Sequence, residues 1–323
     1  MDNRAFPPRL HASGGRMFRL RVEESSDAAD YAKYDRLRNE VWDFPQDHMA
    51  GTRNLLCENY RHDGSSLFLA AYEAGPNGTL PETDDRLAGF SYGFVGIRDK
   101  AVGFRSPDNL WFYAQYTAVQ PAFQGSGLGI AIKEYQRDVL RAAFGLRHVV
   151  CTYDPLTGVN AYRNIHHFGM SVLEYRTATY GEYGGRLNRL DIPSDRFFMD
   201  WDLEAPPPRP AYDLADCLEG TAPVLKADRR IVNGRSGPLE LEVVGEAVPG
   251  AAEELALIRI PRDFYQMLRE TDVDDPDVRR IPLAWRLATR GSFRALFDRG
   301  YRIIDFRGVR RPEAESWYVL RKA

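Results

Sequence analysis

An apolar strand that runs directly into a glycine-rich turn and then into an amphipathic helix constrains this chain more than any other feature. The run is Val119-Gln120-Pro121-Ala122-Phe123-Gln124-Gly125-Ser126-Gly127-Leu128-Gly129-Ile130. Glycines at 125, 127 and 129 remove the side chains that would block close approach to the backbone. The first turn of the following helix then offers unpaired N–H groups and the positive end of its dipole to an anion. The spacing from Gln124 is Q-x-x-G-x-G, which is neither the dinucleotide-binding G-x-G-x-x-G nor the nucleoside triphosphate G-x-x-x-x-G-K-[ST]. Such a turn either cradles a pyrophosphate or simply lets the helix pack closely on the sheet.

Any anion site must be local, because the formal net charge is only -3 and gives no electrostatic reason to expect nucleic acid or an anionic membrane as partner. With 44% hydrophobic and 28% charged residues the composition is that of a soluble globular protein, and 323 residues favour two domains. Cys57, Cys151 and Cys217 are far apart and odd in number, which suits a reducing cytoplasm and suggests neither a disulfide framework nor a zinc site. No segment approaches a membrane span, and residues 1–16 lack the apolar core of a signal peptide. Pro7, Pro8, Gly14 and Gly15 predict a flexible leader there.

Periodicity predicts a strand over 17–22, a helix to about Trp42, and strands over 66–72, 87–95 and 110–119. Residues 43–64 are polar, with a second short helix as one reading. Gly75-Pro76-Asn77-Gly78 predicts a hairpin turn between the second and third strands. Leu128, Ile132, Tyr135, Val139 and Ala143 recur as one face of a helix that Gly145 should stop. A strand over 148–153, a helix over 160–168 closed by Gly169, and strands over 172–180 and 197–203 follow. Pro206-Pro207-Pro208 and Pro210 predict a linker at 205–211. Beyond it, strands over 239–244 and 255–260, a helix over 282–297 closed by Gly300, and strands over 301–306 and 316–320 complete an α+β domain over 212–323. The helix, glycine, strand, strand order repeats the pattern of 155–203, and Ile192-Pro193-Ser194-Asp195 is similar to Ile260-Pro261-Arg262-Asp263.

The Gln124 to Gly129 spacing, the strand before it and the element order resemble the GNAT superfamily of acyl-CoA-dependent N-acyltransferases. The resemblance implies an α/β fold with a central mixed, mostly antiparallel sheet flanked by helices over 17–204. The C-terminal domain would then be a smaller α+β unit, readable as an incomplete GNAT-like half without a glycine loop. It implies acetyl-CoA or another acyl-CoA as donor substrate. Gln124, Gly125, Ser126, Gly127, Leu128, Gly129 and Ile130 would hold the pyrophosphate, and the amides near Ala118 and Val119 the pantetheine and acyl carbonyl.

Acyl transfer to an amine also needs a proton acceptor for the ammonium and a donor for the departing thiolate. The family often supplies the donor from a tyrosine four residues before the glycine that ends the helix; here that position is Ile165. Tyr162, with His166 one turn on, is the nearest alternative. Asp154, with Tyr153, ends the strand beside the site and is a candidate base, although an Asp before Pro155 also reads as a turn residue. Glu182 lies in a glycine-rich aromatic loop, and Tyr116 on the central strand could face the acyl group or pack in the core. His166-His167 is no metal pair, because adjacent helical positions diverge by roughly 100°.

Thr152-Tyr153-Asp154-Pro155-Leu156, Asn160-Ala161-Tyr162, Tyr180-Gly181-Glu182, Ile192-Pro193-Ser194-Asp195 and the helix around Leu283-Ala284-Trp285-Arg286 are similar to a bacterial group of predicted acetyltransferases. That resemblance implies a small-molecule amine acceptor, an amino acid among the candidates, with acetyl or succinyl as the acyl group; a homodimer is the candidate assembly. A non-catalytic acyl-CoA sensor is the rival reading, favoured by Ile165. A nucleotide-dependent oxidoreductase ranks last, since 144–149 offers no acidic ribose anchor.

Overall fold

The computed structural model describes residues 6–25, 27–43, 65–75, 79, 83, 86–181, 184–206, 214–248, 254–308 and 315–323. The chain divides into two compact units, one of residues 1–151 with 202–204 and one of 152–201 with 205–323. The division therefore falls after Cys151 rather than at the proline run, of which 207–210 lie outside the described residues.

In the first unit the strands are β1 (Arg9–Ser13), β2 (Arg16–Val22), β3 (Ser66–Ala74), β4 (Leu87–Ile97), β5 (Leu110–Val119) and all but the last two residues of β6 (His148–Tyr153), with helices α1 (Ala32–Trp42) and α2 (Leu128–Ala143). Strands β1 to β5 pair in sequence order and antiparallel, whereas β6 runs parallel to β5. The mixed, mostly antiparallel sheet expected from the sequence is thus present. The β3–β4 hairpin also forms, although its turn residues 76–78 lie outside the described residues, as does the helix considered within 43–64.

The leader is a correction. Residues 9–13 are a strand, because Gly14 and Gly15, at φ +58° and +74°, make the two-residue turn that sets Ser13 opposite Arg16. Helix α2 ends as expected: Gly145 is left-handed at φ +65° and the Leu146 N–H reaches back to the Leu140 carbonyl. Its buried face is Leu128, Ala131, Ile132, Tyr135, Val139 and Leu140, while Ala143 in the last turn is exposed.

The second unit contains α3 (Gly158–Ala161), a π-helical turn over Tyr162–His167, β7 (Ser171–Arg176) and β8 (Arg196–Asp202). The helix expected over 160–168 is therefore wider than an α-helix for most of its length. Strand β7 stops at Arg176, short of the expected Tyr180, because Ala178 turns left-handed at φ +47° and gives its N–H to Asp195. After α4 (Leu214–Gly220) come β9 (Leu225–Gly234), β10 (Gly237–Ala247), β11 (Leu255–Ile260), α5 (Phe264–Glu270), α6 (Pro276–Arg279), α7 (Ile281–Asp298), β12 (Tyr301–Arg307) and β13 (Ser316–Lys322).

Five of these strands form a second sheet in the order β10-β9-β11-β13-β12. The unit's core is aromatic: Phe293 of α7 lies edge-on to Phe197 of β8 at 4.9 Å and to Tyr318 of β13 at 5.1 Å. The repeated closing order is visible in the pairs β7–β8 and β12–β13, each antiparallel with one bulged residue in its first strand, Leu173 and Ile304.

One charge cluster ties α1 to the sheet of the first unit. Glu23, 1% exposed, accepts from Lys33 Nζ at 2.9 Å, from Tyr34 Oη at 2.5 Å and from the N–H groups of Glu24 and Ser25. Burial alone would raise its pKa, but hydrogen bonds from Tyr34 and Lys33 and the charge of Arg21 outweigh it, bringing the carboxyl from 4.5 down to about 2. A lowered value in the folded state means that the stabilisation is complete above pH ~4.5 and lost as the pH falls towards ~2. Urea unfolding between pH 7 and pH 3 should show the wild type losing roughly 2 kcal/mol that Glu23→Gln, already lacking it, does not lose.

Candidate functional site

The glycine turn is held open by its own backbone. Gly125 and Gly127 are left-handed at φ +78° and +86°, a conformation that costs other L-residues about 1 kcal/mol or more. A Cβ at Gly125 would meet nothing within 4 Å, so the space before the turn is clear. Within the turn, Ser126 Oγ donates to the Phe123 carbonyl at 2.6 Å and Ile130 N–H to Gly127 O at 2.9 Å. The N–H groups of Gly125, Gly127 and Gly129 have no acceptor among the described residues. Three bare donors at the start of a 16-residue helix fit a pyrophosphate.

The strand that feeds this turn has one committed edge and one open one. Along its length β5 pairs with β4, with Gln115 as an extra, bulged residue between the Ala114–Gly93 and Tyr116–Tyr92 pairs. With β6 the parallel register covers Phe112–Val149 and Tyr113–Val150 and goes no further. The Gln120 N–H bonds to the Ala88 carbonyl, so antiparallel alternation turns Ala118 towards β4 and the amides of Thr117 and Val119 towards the open edge. Ala118 is therefore a wall rather than a donor. The Val119 carbonyl is covered by Gln124 Nε2 at 3.0 Å, which leaves its N–H as the free group. Tyr116 is half-buried against α1, edge-on to Trp42 at 5.6 Å and under the Arg38 guanidinium at 5.4 Å.

In the second unit Asp154 is not placed to act as a base. It is 4% exposed, and Arg286, fully buried on α7, clamps both its oxygens, at 2.8 Å and 2.5 Å. Burial would raise the carboxyl, but the Arg286 charge outweighs it and holds Asp154 below its ordinary value. A neighbouring carboxylate, Asp195, takes Tyr175 Oη at 2.7 Å and both Nε and Nη2 of Arg290, at 2.8 Å and 2.9 Å. Tyr153 is also structural, with its hydroxyl 3.1 Å from that of Tyr318 in the core. Glu182 lies outside the described residues.

Tyr162 and His166 do share a face of the π-helical turn, their rings 4.7 Å apart, while Ile165 is 3% exposed. Sequence reasoning missed the partner of His166: its Nδ1 lies 2.8 Å from Oδ1 of Asp305 on β12. A carboxylate only accepts, so in the neutral ring Nδ1 carries the proton and Nε2 keeps its lone pair. The two residues are 139 positions apart, so no local pattern could have announced the pair.

No family model matches the sequence, and no curated protein matches it. Among solved structures, yncA of Salmonella typhimurium, assigned as an acetyltransferase and solved with its cofactor acetyl-CoA, is 20% identical. The match covers 60% of this chain and 99% of that one, with a TM-score of 0.40. The ribosomal-protein-S18-alanine N-acetyltransferase of Escherichia coli is 16% identical over 61% of this chain and 100% of its own, with a TM-score of 0.39. An acetyltransferase of the GNAT family from Streptococcus pneumoniae is 12% identical over 56% and 97%, with a TM-score of 0.40. Among the described residues no group of three or more His, Cys, Asp or Glu side chains could hold a metal ion, and no helix is long and apolar enough to cross a membrane.

The Asp154–Arg286 pair has a stability signature distinct from that of a catalytic base. Arg286→Leu leaves a buried carboxylate held only by the Leu156 N–H at 2.9 Å and by Arg196 at 3.4 Å among the described residues, and unfolding in urea should show a loss of about 3–5 kcal/mol.

Proposed function

We propose that this chain is an acyl-CoA-dependent N-acyltransferase that moves an acetyl or succinyl group onto the amine of a small molecule, an amino acid among the candidates. The observation that carries the reading is the trio of bare N–H groups at Gly125, Gly127 and Gly129, directly continuous with the open edge of β5. The turn would hold the pyrophosphate of CoA. The Val119 and Thr117 amides would pair with the pantetheine arm and polarise the thioester carbonyl, whose oxygen becomes an anion as the amine adds.

In that reaction the ammonium first loses one proton to a base or water, the new C–N bond forms, the nitrogen loses a second proton as the C–S bond breaks, and the departing thiolate takes one from an acid, for a net release of one proton. Tyr162 is the proposed acid, with the Nε2 lone pair of His166 available to accept a proton. The buried cysteines Cys151 and Cys217, neither of them in a disulfide, fit the reducing cytoplasm proposed for the enzyme. Ile165, buried where the family often places its acid, favours the second reading of a sensor that binds acyl-CoA without turning it over.

A CoA-release screen of acetyl-CoA and succinyl-CoA against pooled amines separates the two, since a sensor releases no CoA with any amine. Gly127→Glu should abolish CoA binding in calorimetry, because it sets a carboxylate where phosphate belongs. Gly127→Ala, with the same backbone strain and no charge, should still bind. With an acceptor in hand, Tyr162→Phe should lower kcat about 100-fold and leave CoA affinity intact; an unchanged kcat removes Tyr162 as the acid.

A further inference from the structure

We propose that Ser13, at the tip of the β1–β2 hairpin, is a positioning residue for the CoA-binding turn. The proposal rests on the acyl-CoA reading above and adds an element from the N-terminal strand to it. A turn with three glycines in five residues samples many conformations, and an anion cradle binds tightly only if its donors are already aligned. The bonds within the turn grip the carbonyls of Val119, Phe123 and Gly127, and leave the Ser126–Gly127 peptide to a contact from outside.

That contact comes from Ser13, whose Oγ donates to the Ser126 carbonyl. Among the described residues it is the hydrogen bond that reaches the turn from beyond the 119–131 segment. A trans peptide is planar, with its C=O and N–H pointing in opposite directions. Gripping the Ser126 oxygen therefore aims the N–H of Gly127 away from the hairpin. Rotation of that one peptide would replace the donor with a carbonyl oxygen and repel a phosphate.

The hairpin is itself fixed to the elements on either side of the turn. Arg9 pairs with Asp138 of α2 at 2.5 Å, and Tyr135 Oη donates to the Pro7 carbonyl at 3.1 Å. On the strand side, Phe18 lies edge-on to Phe123 at 5.5 Å and the Arg16 guanidinium sits 4.9 Å from the same ring. A Cβ built at Gly14 would lie 4.0 Å from Ser126 Cβ, at ordinary van der Waals distance, so the hairpin tip and the turn are immediate neighbours. A Cβ at Gly127 would lie 3.6 Å from Ser13 Oγ, so the hydroxyl sits directly against the turn it steadies.

The test uses the full chain and CoA itself as probe. Ser13→Ala should weaken CoA binding in calorimetry about five- to tenfold, and raise the KM for acyl-CoA by a similar factor while kcat is unchanged. Ser13→Thr, which keeps the hydroxyl, should restore affinity to within about twofold of the wild type. Independently of any ligand, ¹⁵N relaxation of the backbone should show lower order at Gly125, Ser126 and Gly127 in Ser13→Ala than in the wild type. Unchanged order there overturns the bracing role, whether or not CoA binds. Lower order in Ser13→Ala with a wild type that fails to bind CoA would leave the brace standing and overturn the acyl-CoA reading instead.

Discussion

Strand β5 is bound to β4 along its length and to β6 only near its start. That asymmetry governs what the first unit can do. A central strand normally has both edges satisfied, and an unpaired polar backbone costs free energy unless water or a ligand takes the place of the missing strand. Here the bulge at Gln115 changes the twist of β5 just where β6 leaves it. The open end is made one-sided in charge: Gln124 Nε2 covers the Val119 carbonyl, and the bare amides beyond it belong to the positive end of α2. Donors without competing acceptors suit a ligand whose binding groups are phosphates and carbonyls.

Much of this frame was legible because it depends on local chemistry. The apolar run 110–119 is a strand with the expected bounds, and Leu255–Ile260 likewise, since a buried strand needs only continuous β-formers between turn residues. The glycine turn was readable for the same reason: left-handed φ at Gly125 and Gly127 follows from residue type. Strand β9 was missed because Lys-Ala-Asp-Arg-Arg carries no alternation, and its order comes from ladder bonds to β10 instead. Strand β1 was read as leader because Pro7, Pro8 and the glycines look like coil, whereas the paired glycines are the turn that makes the hairpin.

What the sequence could not disclose are pairings between distant charges. Asp154 before Pro155 at the end of a buried strand looks the same whether it is a base or half of an ion pair, and the residue that decides, Arg286, is 132 positions away. Burying that pair is not in itself a large gain, since desolvation offsets much of the attraction. Its effect is specificity: once Asp154 is buried, only an arrangement that brings Arg286 against both oxygens avoids a severe penalty. Asp195 with Arg290 and Tyr175 imposes a second such condition on the same helix, α7.

The acid position shows how backbone geometry can defeat a residue count. Counting back four from Gly169 assumes an α-helix, but Tyr162–His167 is a π-helical turn, in which each turn holds more residues. The count lands on Ile165, whose side chain points into the core. The proposed proton-transfer groups are instead Tyr162 and His166, whose rings lie tilted at 4.7 Å, and Asp305 orients the imidazole of His166. Asp305 is itself steadied by the Phe306 N–H at 2.8 Å and by Arg307 at 2.6 Å, so the carboxylate that orients the imidazole is not free to turn away. Tyr162 and His166 therefore offer the proton-transfer chemistry proposed above at a position other than the counted one, and Asp305 of β12 fixes which imidazole nitrogen of the neutral ring keeps its lone pair.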